Sequence, residues 1–104
     1  MAATVPVNPE SIADGLSAPF AGETALATLQ VCGAESILVP EEAIHEAFRW
    51  LHSRAKLACE PAAAAALAPL LTGQVEPKNV AVVVSGGNVS AQTASAILDR
   101  KSVV

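Results

Sequence analysis

The chain has 104 residues, 52% of them hydrophobic and only 15% charged, with a net charge of −4. A domain this small has a high surface-to-volume ratio and needs more polar surface than the roughly 25% charged residues of an average domain. No run of about 18 apolar residues spans a membrane and no basic, apolar leader opens the chain, so the composition describes one small domain at most, a piece that buries surplus apolar surface against more protein.

In chain order, residues 1–8 are Ala, Thr, Val and Pro without a period and read as an extended or disordered lead-in, with the domain proper over 9–104. Ser11-Ile12-Ala13-Asp14-Gly15-Leu16-Ser17-Ala18-Pro19 is a loop with Asp-Gly at its tip, a tight-turn signal. Gly22 to Val31 is expected to form a short helix ended by Gly33 as the left-handed residue past its end. Ser36 to Val39 is a short apolar strand closed by Pro40. Pro40-Glu41-Glu42 then starts a helix, since Pro suits the first turn and carboxylates favour the positive end of the dipole. This helix is expected to reach about Ala58, with Ile44, Phe48, Leu51 and Ala55 as its apolar stripe. Pro61 begins another, through five alanines to about Thr72, kinked at Pro69 and capped by Gly73. Val80 to Val84 is β-branched and unbroken, the pattern of a parallel strand covered on both faces. Ser85-Gly86-Gly87-Asn88 follows, where glycines permit positive φ and close approach to a ligand. A last helix spans Ser90 to Arg100, with Asn88 or Ser90 as its cap and Ala94, Ile97 and Leu98 buried; the tail from Lys101 frays.

Several features exclude function classes. Six Lys and Arg and three aromatics supply no basic patch for nucleic acid. Cys32 and Cys59 show no CxxC spacing and read as buried reduced thiols of a cytoplasmic protein. His45, Arg49, His52 and Lys56 share a helical stripe, but no carboxylate or thiol completes a metal set, so the stripe reads as a solvated face. Glu60, just before Pro61, has two readings: a surface acid at a helix start, or an acid in a ligand pocket.

Three stretches, Ser11-Ile12-Ala13-Asp14-Gly15-Leu16, Cys59-Glu60-Pro61-Ala62 and Val83-Val84-Ser85-Gly86-Gly87-Asn88-Val89, stand in an order and spacing that resembles the C-terminal part of the threonine/serine dehydratases. These are pyridoxal-phosphate enzymes of the second fold type, a family that also contains serine racemase. The resemblance runs from about Pro9 to Leu98. It implies an α/β fold, the C-terminal portion of a three-layer parallel-sheet large domain, with pyridoxal 5'-phosphate as cofactor. It casts Ser85 as the hydroxyl that meets the pyridine nitrogen, Gly86 beside it, Glu60 at the pyridine edge and Gly15 near the substrate. A serine hydroxyl donates to an unprotonated ring nitrogen without protonating it, which suits loss of a β-hydroxyl.

The same resemblance identifies what the chain lacks. The family forms its Schiff base on a lysine in a Ser-x-Lys-x-Arg-Gly setting, and Lys56, Lys78 and Lys101 have no such context. There is no Gly-rich cradle for the cofactor phosphate and no counterpart of the cation ligands of some relatives, so no catalytic residue and no metal ligand is assigned. Ala63 replaces a glycine common among relatives and is expected to narrow the pocket wall by a methyl; Ser90 replaces an aspartate and keeps the capping chemistry. The chain is thus expected to be a truncated or split part of a threonine/serine ammonia-lyase, inactive alone, that pairs with a complementing N-terminal part or with itself, binding neither nucleic acid nor membrane. The rival is a non-catalytic α/β interaction module on the same scaffold.

Overall fold

A computed structural model describes residues 4–99. Expectations for Arg100 and the tail from Lys101 lie outside them. Five helices follow a short 3-10 turn at Asp14–Leu16: α1 (Glu23–Val31), α2 (Glu41–Ser53), α3 (Pro61–Ala64), α4 (Ala68–Leu71) and α5 (Ala91–Leu98). In the lead-in, the Val7 N–H donates to the Pro19 carbonyl at 2.6 Å.

α2 is the centre, packed against α3, α4 and α5. It buries Ile44, Ala47, Phe48 and Leu51, the i, i+3, i+4, i+7 spacing of one helical face. The helix stops at Ser53, five residues short of the expected Ala58. Lys56 adopts φ 59°, and the Leu57 N–H returns to the Leu51 carbonyl at 3.0 Å. Lysine in a left-handed conformation costs about 1–2 kcal/mol and carries no glycine signal, so the stop is invisible in sequence. Ala55, beyond it, is exposed rather than part of the stripe.

The expected helix over residues 61–72 is two single turns. Between α3 and α4 the bonds shorten to the i+3 type, Ala66 to Ala63 at 3.3 Å and Leu67 to Ala64 at 3.0 Å. Pro69 is the cause: its ring cannot pass the Ala65 carbonyl in a continuous helix. Placed early in α4, its missing N–H costs nothing. Gly73 takes φ 79° past the end. α1 ends as expected, with Gly33 at φ 68°, its N–H on Gln30 and the Ala34 N–H on Leu29 at 2.9 Å, the paired bonds of a Schellman motif. At α5 the cap is Ser90, whose Oγ accepts from the Thr93 N–H at 3.1 Å.

No strand occurs among the described residues. Residues 36–39 and 80–84 are free of helix, and neither donates to nor accepts from another backbone segment among them. A strand needs ladder hydrogen bonds from a neighbouring segment, and among the described residues none reaches these two. From residue 81 to 86 exposure alternates: Val82, Val84 and Gly86 turn inward, while Ala81, Val83 and Ser85 face out. The expected burial on both faces is therefore realised on one face only.

The core joins Phe48 and Leu51 to Ala63, Ala64, Leu67, Ala68 and Ile97, with Val82, Val84 and Val89 against it. Of its large side chains only Phe48 and Ile97 are fully enclosed. The stripe expected to be solvated is partly covered, because α5 packs on it. Arg49 Nε donates to the Ile97 carbonyl at 2.8 Å, and Arg49 Nη1 reaches Glu46 at 2.5 Å. His45 is half-buried, and its Nε2 is enclosed without a hydrogen-bond partner. α1 buries none of its residues. The accessible surface is 7347 Å², about a third more than the roughly 5,400 Å² of a compact monomer of this mass.

Candidate functional site

The site grows from two anchored loops. Ser11 Oγ donates to both carboxylate oxygens of Glu41, at 3.1 and 2.8 Å, and the Ile12 N–H donates to Glu41 Oε1. Ser11 Oγ also accepts from the Ala13 N–H at 3.0 Å. The Asp14–Leu16 turn follows directly, closed by Leu16 N–H on Ala13 and Ser17 N–H on Asp14, and it packs on α3.

The second anchor is Glu60. Its N–H donates to the Gly86 carbonyl at 3.0 Å, and its carbonyl accepts from Ala63 and Ala64, opening α3. Its side chain makes no cap bond to the helix, which disposes of the plain capping reading. The carboxylate lies over Gly86 instead: a Cβ there would overlap Oε1 and stand 3.1 Å from Cδ. Its other oxygen, Oε2, is 3.6 Å from where a Gly15 Cβ would be, and Ala62 Cβ is 2.9 Å from that same point. One carboxylate thus sits between two glycines that are 71 positions apart in sequence. Gly86 and Gly87 are not at positive φ; among the described glycines only Gly33 and Gly73 are. Close approach, not left-handed backbone, explains Gly86, and Gly87 likewise, whose Cβ would lie 3.0 Å from the Ala58 carbonyl.

Ser85, one residue before, faces the other way. It is exposed and lines a cavity of about 550 Å³ with Val83, Ile37, Leu38, Val39, Leu16 and Ala62. The four expected site residues therefore divide: Gly15, Glu60 and Gly86 converge, and the Ser85 hydroxyl opens onto the adjoining apolar groove. Lys56 and Lys78 do not line that groove. The Ala63 methyl is enclosed in the core and does not narrow the wall; Ala62, Ala65 and Ala66 form the wall there. Cys59, beside Glu60, is buried, as expected, whereas Cys32 is exposed at the end of α1, where no element covers it. Burial pushes the Cys59 thiol up, its own backbone hydrogen bond partly opposes this, and the Glu60 charge adds to the rise. No three His, Cys, Asp or Glu side chains gather as a metal site among the described residues.

Residues 2–86 match the family model described as pyridoxal-phosphate dependent enzyme. The chain belongs to that family. Pyridoxal phosphate is the family's cofactor. Among curated members, the chain is 37% identical over 95 residues to "L-threonine dehydratase catabolic TdcB" of Staphylococcus aureus strain USA300, covering 86% of this chain and 28% of the relative. The same protein of strain N315 matches equally. A solved threonine deaminase from T.th. superposes with a TM-score of 0.72 at 37% identity, over 81% of this chain and 31% of that one. The chain therefore spans less than a third of the length of these relatives.

The residues present fit one side of the cofactor. A hydroxyl in an apolar groove suits a flat aromatic ring with a nitrogen acceptor, and the missing side chain at Gly86, the next residue, leaves room for the Glu60 carboxylate. The groove carries no lysine or arginine for a phosphate. Sequence reasoning missed the Glu41 clamp on Ser11 and Ile12. Its only signal, Pro40-Glu41-Glu42, reads equally well as a helix start.

Proposed function

We propose that this chain forms the ring-side wall of the pyridoxal-phosphate site in a threonine/serine ammonia-lyase, which eliminates water from a hydroxy-amino acid and yields a 2-oxo acid and ammonia. The observation that carries the reading is the seating of the Glu60 carboxylate between Gly15 and Gly86, the residue that directly follows the groove-lining Ser85, in a member of this family.

When bound, the cofactor draws electrons from the substrate's α-carbon so that the α-proton and then the β-hydroxyl can leave. Ser85 donates a hydrogen bond to the ring nitrogen and leaves it unprotonated, which keeps the ring a mild electron sink. Glu60 stands at the ring's edge and Gly86 admits it there; Gly15 borders the substrate. Covalent anchoring and phosphate binding belong to a complementing N-terminal part, which also covers the open side of residues 80–85. There, residues 36–39 and 80–84 become strands of the three-layer parallel sheet of a fold type II large domain. The proposed working compartment is the cytoplasm. No helix among the described residues is long and apolar enough to cross a membrane.

The test is a chimera in which residues 9–98 replace the matched segment of the Staphylococcus aureus threonine dehydratase. It should release 2-oxo acid from threonine or serine, whereas this chain alone with added cofactor should release none. A folded, cofactor-loaded chimera without turnover would support the interaction-module reading instead. Turnover by the isolated chain that survives replacement of Lys56, Lys78 and Lys101 would overturn the account of the missing part.

A further inference from the structure

We infer that Glu41 is a positioning residue for the substrate-side turn, an assignment that rests on the reading above. The carboxylate begins α2, yet its oxygens take two donors from the loop ahead of Gly15: the Ser11 hydroxyl, shared between both oxygens, and the Ile12 N–H. Its neighbour Glu42, the other acid in this first turn, points elsewhere, to Arg49 at 3.3 Å and His45 at 3.5 Å. Both acids serve the helix dipole equally, so the dipole does not explain why one reaches the loop.

Ile12 and Ala13 also pack inward and the turn rests on α3, but the side-chain hydrogen bonds that tie this loop to another element among the described residues are those to Glu41. Ser11 Oγ also accepts from the Ala13 N–H, so Glu41, Ser11 and Ala13 form one chain of bonds that ends where the turn begins. Within that turn Gly15 comes so close to Ala62 that a methyl would not fit, and it sits beside Glu60. A loop fixed at Ser11 and Ile12 keeps Gly15 pressed on α3; a loop released there lets it lift. Glu41 touches neither Gly15 nor Glu60 and acts on them through the Ser11–Ala13 backbone. Bonds to a charged acceptor are stronger than neutral ones, so a carboxylate suits a loop whose polar ties to other elements converge on one side chain.

Hydrogen–deuterium exchange of the full, dilute chain tests this by segment. Glu41→Ala should speed exchange over residues 11–17 by roughly 10- to 100-fold. Glu41→Gln, which keeps one acceptor oxygen for Ile12, should fall between, and Ser11→Ala should reproduce part of the effect. Glu42→Gln, which loses the same dipole charge, should leave residues 11–17 unchanged. Acceleration confined to the first turn of α2, or equal effects of the Glu41 and Glu42 changes, would overturn the assignment. In the chimera, Glu41→Ala should raise KM for the amino acid severalfold more than it lowers kcat, and Glu41→Gln should restore part of it. An unchanged KM would overturn the substrate-side role even if exchange rises. A chimera inactive before any of these changes would instead count against the proposed function, and the exchange result would stand separately.

Discussion

Gly86→Ala separates folding from the site. The added methyl would overlap the Glu60 carboxylate, the far end of a flexible side chain, and Gly86 is not at positive φ. Alanine there stiffens the unfolded chain by about 0.4–1 kcal/mol, and moving one partly exposed carboxylate costs about as much, so stability should change by less than about 1 kcal/mol. Gly15→Ala is the contrast: its methyl meets Ala62 Cβ, which is fixed to α3 and cannot swing away. Overpacking of that kind costs about 1–3 kcal/mol. Urea denaturation of the dilute chain should resolve the two.

In the chimera, Gly86→Ala should still cost activity, because Glu60 loses its seat. A fall of roughly 10- to 100-fold in kcat/KM corresponds to about 1.4–2.7 kcal/mol of lost transition-state stabilisation. Since the damage passes through Glu60, adding Gly86→Ala to Glu60→Ala should do nothing further. Equal damage from Gly86→Ala with and without Glu60 would refute the reasoning, as would a loss of stability matching that of Gly15→Ala.

Four further outcomes follow from the same structure. Ser85→Ala in the chimera should lower turnover and shift the cofactor's absorbance without unfolding the protein, at about 0.5–1.5 kcal/mol for one neutral hydrogen bond; unchanged kinetics and spectrum would show that the hydroxyl does not meet the ring. Iodoacetamide should modify exposed Cys32 well before buried Cys59. Because the folded state holds the Cys59 proton more tightly than the unfolded one, stability should fall as pH climbs from the ordinary thiol value through the raised one, a slope that Cys59→Ala should remove and whose absence in the native chain would refute the shift. Sedimentation at micromolar concentration should show the purified chain self-associating or aggregating, since Val83 is 73% and Leu38 89% exposed; a cooperatively folding monomer that binds no hydrophobic dye would contradict this.

What is legible in the sequence divides by the range of the interaction. Gly33, Ser90 and the apolar face of α2 act within a turn or two of chain, and all three can be read from local pattern. The stop of α2 cannot, because Lys56 adopts a glycine-like conformation without being glycine. The kink at Pro69 falls where the sequence places it, but its effect spreads back through Ala65 and splits the helix. Gly15, Glu60 and Gly86 are grouped by family resemblance; nothing local to any of them announces that one carboxylate lies between two glycines. Arg49 reaching Ile97, and Glu41 reaching Ser11, are likewise long-range contacts of charged side chains that sequence patterns assign to solvent.

The segment from Val80 to Val84 is the most informative disagreement. Its unbroken apolar run specifies two covered faces, and the helices here cover one, through Val82 and Val84. A sequence records the environment in which its residues are kept, so under the proposed function the bare side of Val83 and Ser85 is the face that a complementing part would cover. The surplus of accessible surface, about a third above a compact monomer, points the same way. On that bare side lies the hydroxyl proposed to meet the cofactor ring. If the proposed N-terminal part docks there, partner docking and ring contact share one face, and covering the apolar segment and assembling the site would be a single event. A complementing part that binds without restoring the ring contact at Ser85 would have docked somewhere else.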